Sequence, residues 1–338
     1  MGKSNRLLWA DIIKGICMMA ILLFHTEVYY AGQEIIPYHC YVTNALLAFF
    51  FISGFFFSHS DKVFSPRRKF FYILRALILP YFIFTILLAV PKTIVHGDGM
   101  SPLEVACNIL SGKASWFVAS LATAELLFSV ILKYAKNDER KIFVFSALPY
   151  LLVAAGYHFL PTTILQHCNI WCWQNALLAL PFIFFGHYCR RHPTVMEKMY
   201  RLSTVLCSLL IVILLKYIEC AHDIYLTLEP ITVGSFFILL IDGILSIVVL
   251  VGICKRLPNI KFISWTGRHS LVYYFFCGAA PTMVTMSLQR MGFSYTHYWQ
   301  IPLAFVLVYL IATLIAWLIY RFAPWMVGRK NEKLKMKN

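Results

Sequence analysis

Charge is scarce in this chain. Of its 338 residues only 13% are charged and 60% are apolar, whereas soluble domains run to about a quarter charged and about half apolar. With a mean hydropathy of +0.71, a soluble globular core is excluded, because it could not absorb so much apolar side chain. Between residues 8 and 323 there is no polar block long enough to fold alone, so a single membrane domain over 1–338 is expected. Acid is scarcest, 15 Asp and Glu against 30 Lys and Arg. In a soluble protein that balance would suggest nucleic acid, but here the cations sit in short segments between apolar runs, and no nucleic-acid partner is expected. The ten cysteines include no CxxC pair and no Cys/His spacing of a zinc site, so neither a metal nor a redox motif is expected. Most read as small packing residues, with a disulfide between Cys168 and Cys172 conceivable in an outer loop. GxSxG, HExxH, P-loop and GxGxxG motifs are also missing, as are internal repeats and, apart from a basic tail, low-complexity segments. The opening stretch MGKSNRLLWADIIKG has no small-residue cleavage site, so the first span is expected to act as its own insertion signal.

What is abundant is apolar runs. A membrane span needs about 20 mostly apolar residues, and runs of that length fall near 8–29, 39–59, 71–92, 115–134, 141–160, 172–190, 201–218, 231–254, 268–290 and 301–323. The fold class is therefore an all-α polytopic membrane protein of about ten transmembrane helices with a tail over 324–338. Lys and Arg accumulate in cytoplasmic loops. With the N-terminus inside, all of them but Lys92, Lys113, Lys216 and Arg290 fall on the cytoplasmic side. Both termini are accordingly expected in the cytoplasm.

Ionisable groups inside a span cost about 2.5–3.5 kcal/mol at its centre and mark candidate sites. The first span holds Asp11, Lys14, His25 and Glu27. Lys14 and His25 are eleven residues apart, which returns to one helix face within roughly 20° and separates them by about 16 Å along the axis. That face carries a cation toward the cytoplasm and an imidazole toward the outside. The plainer reading is a local Asp11–Lys14 ion pair with His25 reaching headgroups. Glu125 in the fourth span and Asp242 in the eighth lack an obvious partner in their own helices, and each is either a site residue or an acid bonded to a neighbouring helix.

Several segments resemble the acyltransferase-3 family of multi-pass membrane acyltransferases, which includes bacterial O-acetyltransferases of surface polysaccharide. RLLWADIIKGICMMAILLFH is similar to the family's first-span pattern through Arg6, Asp11, Lys14, Gly15 and His25. AFFFISGFFFS resembles its Phe-rich stretch (Ser53, Gly54), LRALILPYFIF its Arg and Pro-Tyr segment (Arg75, Pro80, Tyr81), and SWFVASLATAELL its Trp-Phe motif with a following acid (Trp116, Phe117, Glu125). NALLALPFIFFG resembles the later Asn and Pro-Phe segment (Asn175, Pro181, Phe182, Gly186). TGRHSLVYYFFC resembles the Gly-Lys-Asn-Ser-Leu motif with its following Tyr, here carrying Ser270 and Tyr274. Arg268 and His269 replace Lys-Asn, and Cys277 stands where the family often has a second histidine.

The resemblance implies transfer of an acyl group, usually acetyl, from cytoplasmic acyl-coenzyme A to a hydroxyl of an outer glycan, in a bacterial inner membrane. The donor is a substrate, with no cofactor bound permanently. Lys14, Arg75, Arg67 and Arg68 would pair with the donor's phosphates, and His25 would be a general base or a transient acyl acceptor. Since Glu27 points about 200° from His25, the acid orienting the imidazole is expected from another span, with Glu125 the choice. Asp11, Ser53, Trp116, Asn175, Asp242, Ser270 and Tyr274 are expected as substrate-lining or supporting residues. Partners are acyl-coenzyme A, the glycan acceptor, the bilayer and glycan-assembly proteins, and the short tail implies transfer by this chain itself or hand-over to a separate protein. A rival reading is a transporter or flippase of a lipid-linked glycan. A receptor or scaffold would leave the ions of the first span without a role.

Overall fold

The computed structural model describes residues 7–57, 65–96, 101–136 and 138–329. Arg6, Lys3, Lys62 and the tail beyond Arg329 lie outside them. The helices are α1 (Leu8–Ala31), α2 (Tyr38–Phe57), α3 (Pro66–Ile73), α4 (Leu79–His96), α5 (Pro102–Leu110), α6 (Trp116–Ala135), α7 (Glu139–Phe159), α8 (Thr162–His167), α9 (Trp173–Arg191), α10 (Pro193–Met199) and α11 (Leu202–Ala221). A short antiparallel hairpin follows, β1 (Leu226–Leu228) with β2 (Ile231–Val233). Then come α12 (Phe236–Cys254), α13 (Lys261–Arg268), α14 (Ser270–Phe275), α15 (Ala279–Arg290) and α16 (Gln300–Phe322). The protein is thus an all-α polytopic membrane protein.

Among the described residues eight helical segments are long and apolar enough to cross a membrane. They match eight of the ten expected spans. The sixth, α9, is 19 residues long but carries Gln174, Asn175, His187, Arg190 and Arg191. The ninth is not one helix: it begins at the last residue of α13, breaks at His269 (φ −115°, ψ 11°) before α14, and breaks again at Phe276–Gly278 before α15. Pro281 explains the second break, because a continuous helix would need its missing N–H to reach the Cys277 carbonyl. A related disturbance opens the third span into a π-helical turn at Leu74–Ile78. Pro80 cannot donate to the Ala76 carbonyl, and the wider turn accommodates its ring.

The chain forms two compact units, one of Met1–Ser58 with Phe185–Thr313 and one of His59–Phe184 with Leu314–Asn338. In the first, α1 is central and buries Asp11, Ile12, Met18, Leu22 and Glu27. Glycines let backbones touch there. A Cβ on Gly267 of α13 would lie 1.8 Å from the Asp11 carbonyl oxygen, and one on Gly15 would lie 2.1 Å from the Ile263 carbonyl oxygen. Gly186 of α9 approaches α2 in the same way, 2.0 Å from the Phe51 carbonyl oxygen. Lipid tails give helices little hydrophobic reason to associate, so close packing through small residues takes that role.

In the second unit Tyr81 is fully buried and donates to the Ile109 carbonyl at 2.7 Å, with Trp171 beside its ring at 5.3 Å. Thr123 holds the Trp171 carbonyl at 3.0 Å. Residues Pro324–Val327, expected as the start of a basic tail, form a 3-10 turn. Gly328 follows at φ 69°, where a Cβ would lie 2.2 Å from the Arg75 carbonyl oxygen, so the turn seats on the π-helical segment. No disulfide joins Cys168 to Cys172.

Gly267→Ala is expected to force α13 from α1 and destabilise the protein by about 1–3 kcal/mol, the usual cost of overpacking. Gly156→Ala, where a Cβ meets nothing within 4 Å, should be neutral or slightly stabilising. Thermal unfolding of the two variants in detergent checks this, and equal midpoints would refute the packing role of Gly267.

Candidate active site

The site is organised by α1. Its first turn carries Asp11, buried, whose Oδ1 lies 2.9 Å from Lys14 Nζ. The local ion pair anticipated from the i, i+3 spacing is therefore formed, and it leaves the lysine 22% exposed. Eleven residues on, His25 is half-buried, with Phe24 at 5.6 Å and Tyr29 at 6.2 Å between ring centroids.

The run from α13 to α15 follows α1 between these two groups. At one end Gly267 rests on Asp11 and Gly15; at the other, a Cβ on Gly278 would come within 3.3 Å of Tyr29 Oη. The Cys277–Gly278 break thus lies at the His25 end of α1, with Cys277 buried. Ser270 opens α14 and Tyr274 sits half-buried within it. His269 Nδ1 donates to the Trp265 carbonyl at 2.6 Å, and its ring lies tilted over the Trp265 ring at 4.1 Å.

Glu27 serves a different purpose. Fully buried, it accepts from the Ile36 backbone N–H and from Tyr298 Oη, both at 3.3 Å. It joins the loop after α1 to the segment before α16. Burial, then the Glu27 carboxylate, pushes the Tyr298 phenol above its ordinary range, which keeps it a donor.

Of the other expected residues in this unit, Ser53 is half-buried in α2. Asp242 is fully buried and has the partner its own helix lacks: Lys216 of α11, 2.7 Å from its Oδ2. Lys216, expected among the outer cations, lies five residues before the end of α11 and also reaches Glu219 Oε2 at 2.9 Å and the His39 carbonyl at 2.6 Å. Ser246 Oγ donates to Asp242 Oδ1 at 3.4 Å and accepts from Asn44 Nδ2 at 3.0 Å. Glu219, Asn44 and Ser246 carried no sequence signal as a set, being brought together from three helices.

A cationic cluster also forms at the Leu8 end of α1, from residues far apart in the chain. Lys255 lies 3.9 Å from the Tyr200 ring centroid and 5.9 Å from that of Trp9. Trp9 meets Phe55 edge-on at 5.0 Å, and Arg190 lies 5.3 Å over Phe55. Burial lowers the Lys255 ammonium below the ordinary lysine range, with Glu197 opposing.

In the second unit Glu125, expected to orient His25, has its Oε2 2.8 Å from Lys69 Nζ of α3. Its observed ion-pair partner is thus a lysine from a neighbouring helix. Arg67 and Arg68 are exposed in the first turn of α3, where Ser65 Oγ accepts from the Arg68 N–H at 3.4 Å. Arg75 is exposed within the π-helical turn. Trp116 opens α6 and is half-buried. Asn175 is buried and accepts from Asn169 Nδ2 at 2.7 Å, beside Gln174, which accepts from Tyr157 Oη at 2.7 Å.

Removing one member of a buried ion pair strands the others, typically at about 3–5 kcal/mol. Lys216→Met should therefore lower the thermal midpoint sharply, whereas exposed Lys141→Met, whose ion pair with Asp138 is 62% and 43% exposed, should barely move it. A Lys216→Met midpoint equal to wild type would refute the network.

A cation pair-bonded at one end of a helix and a half-buried imidazole at the other suit an anionic donor that reaches along the helix to a proton acceptor or nucleophile. No curated protein and no solved structure matches the chain. A family model described as an acyltransferase domain matches residues 7–321. Nearly the whole chain is covered, and the protein belongs to the acyltransferase-3 family as a membrane acyltransferase.

Proposed function

We propose that this enzyme is an O-acyltransferase of the bacterial inner membrane that moves an acyl group, acetyl, from cytoplasmic acyl-coenzyme A to a hydroxyl of an extracytoplasmic glycan. Surface polysaccharide, lipopolysaccharide and exopolysaccharide are the acceptor class. The observation that carries the reading is α1, where Lys14 and His25 share one face about 16 Å apart. With the cytoplasmic orientation expected from the basic loops, Lys14 faces the compartment that holds the donor and His25 the one that holds the glycan.

In this reading the donor's phosphates pair with cations. Lys14, Arg67, Arg68 and Arg75 are the expected ones, and Arg190 and Lys255 join Lys14 at the same end of α1. The pantetheine arm then extends toward His25. As general base, His25 takes the acceptor's hydroxyl proton while the hydroxyl oxygen attacks the thioester carbonyl and the coenzyme A thiolate leaves. As nucleophile, a ring nitrogen first takes the acyl group from sulfur, and the glycan hydroxyl then displaces the imidazole. An imidazole titrates near neutrality, which serves either route. Ser53, Trp116, Asn175, Ser270 and Tyr274 are assigned to lining or supporting the path.

His25→Ala in the native host should abolish acyl substitution of surface glycan, a loss of about 10²–10⁴ in rate, with the amount of exported glycan unchanged. Retained acylation overturns the role of His25, and lost export with acylation retained favours a flippase. Lys14→Ala should raise KM for acyl-coenzyme A about tenfold, the effect of about 1.4 kcal/mol, with a smaller change in kcat. A change in kcat alone would remove Lys14 from donor binding.

A further inference from the structure

Away from the α1 face, the first turn of α2 and the last turn of α11 bring three soft donor atoms together. A ring nitrogen of His39, Cys40 Sγ and Cys220 Sγ all lie within 4.8 Å of one another. The two sulfurs are 3.9 Å apart, and Cys220 Sγ is 3.9 Å from His39 Nε2. A tetrahedral zinc ion holds thiolate sulfur at about 2.3 Å and imidazole nitrogen at about 2.0–2.1 Å, which sets two sulfurs about 3.8 Å apart and sulfur and nitrogen about 3.6 Å apart. Both measured edges fall within a few tenths of an ångström of that figure. A disulfide needs about 2.05 Å between sulfurs, and Cys40 and Cys220 are not joined by one.

The surroundings support a cation. His39 is buried, its Nδ1 has no hydrogen-bond partner, and its ring packs edge-on to Tyr225 at 5.8 Å. Its backbone is fixed by Lys216, which donates to the His39 carbonyl. That single ammonium is set against two carboxylates, Glu219 and Asp242. One turn along α2, Thr43 Oγ1 donates to the Leu226 carbonyl at 2.5 Å, pinning the hairpin that follows α11 onto α2. Cys220 is exposed, which gives an ion a way in.

We propose that His39, Cys40 and Cys220 form a zinc site that clasps the start of α2 to the end of α11. Binding replaces the two thiol protons by the metal and releases them to solvent. The fourth position, toward the exposed side of Cys220, is left for water. Such a clasp would brace the ends of the two helices that flank the Lys216 network.

The test uses the full-length protein in detergent, stripped of metal, given zinc and desalted. It should retain about one zinc per chain, in keeping with a single Cys₂His site. In the wild-type protein, zinc should slow alkylation of Cys40 and Cys220 at least tenfold, read by peptide mass spectrometry, without slowing exposed Cys107 and Cys168. Cys40→Ser and Cys220→Ser should each weaken zinc binding at least a hundredfold, while Cys107→Ser leaves it unchanged. Cobalt in place of zinc should give a thiolate-to-metal charge-transfer band that both serine variants lose. No retained zinc, equal binding in the serine variants, or no selective protection in the wild-type protein would each overturn the site. So would Cys40 and Cys220 that resist alkylation before zinc and react only after a reductant, because that outcome is a disulfide.

Discussion

The backbone contact between α1 and α13 is the constraint on which the first unit depends. Gly267 has no room for a side chain against the Asp11 carbonyl, and Gly15 none against that of Ile263. In lipid, association of helices rests on such close approach more than on apolar burial. The contact fixes the rotation of α1 against its neighbour, and with it the direction in which Lys14 and His25 point. Because α14 and α15 continue from α13, the same contact sets where the Cys277–Gly278 break meets Tyr29. Two stretches that resemble family motifs, Lys14–Gly15 and Gly267–Arg268, are thus the two halves of one packing contact.

Buried charge obeys a second rule. Asp11 has Lys14, Glu125 has Lys69, and Asp242 shares Lys216 with Glu219. An unpaired carboxylate in this setting would be costly, and each lysine offsets much of that cost. Glu27 is satisfied by a backbone N–H and a phenol instead of a cation.

Proline placed the irregularities. Pro80 opens the third span at Arg75, and Pro281 ends the short helix carrying Ser270 and Tyr274. Both sites expose backbone polar groups or re-aim side chains within what would otherwise be plain spans. A run of apolar residues gives no warning of this, which is why the ninth span reads as continuous by composition and is two helices, α14 and α15, in space.

By itself the sequence determined the membrane-embedded all-α class, eight of the spans, the Asp11–Lys14 pair and the shared face of Lys14 and His25, because hydropathy and helical periodicity are local properties. It also carried enough of the acyltransferase-3 pattern to identify the family. Only the tertiary structure decided which lysine answers which acid across helices, that Lys216 belongs to a buried network, and that Arg190 and Lys255 gather around Trp9 and Phe55. It alone set Cys220 beside His39 and Cys40, about 180 residues away in the chain. Such meetings depend on how helices rotate and stack, and rotation is fixed by contacts such as that of Gly15 with Ile263, which no window along the chain contains.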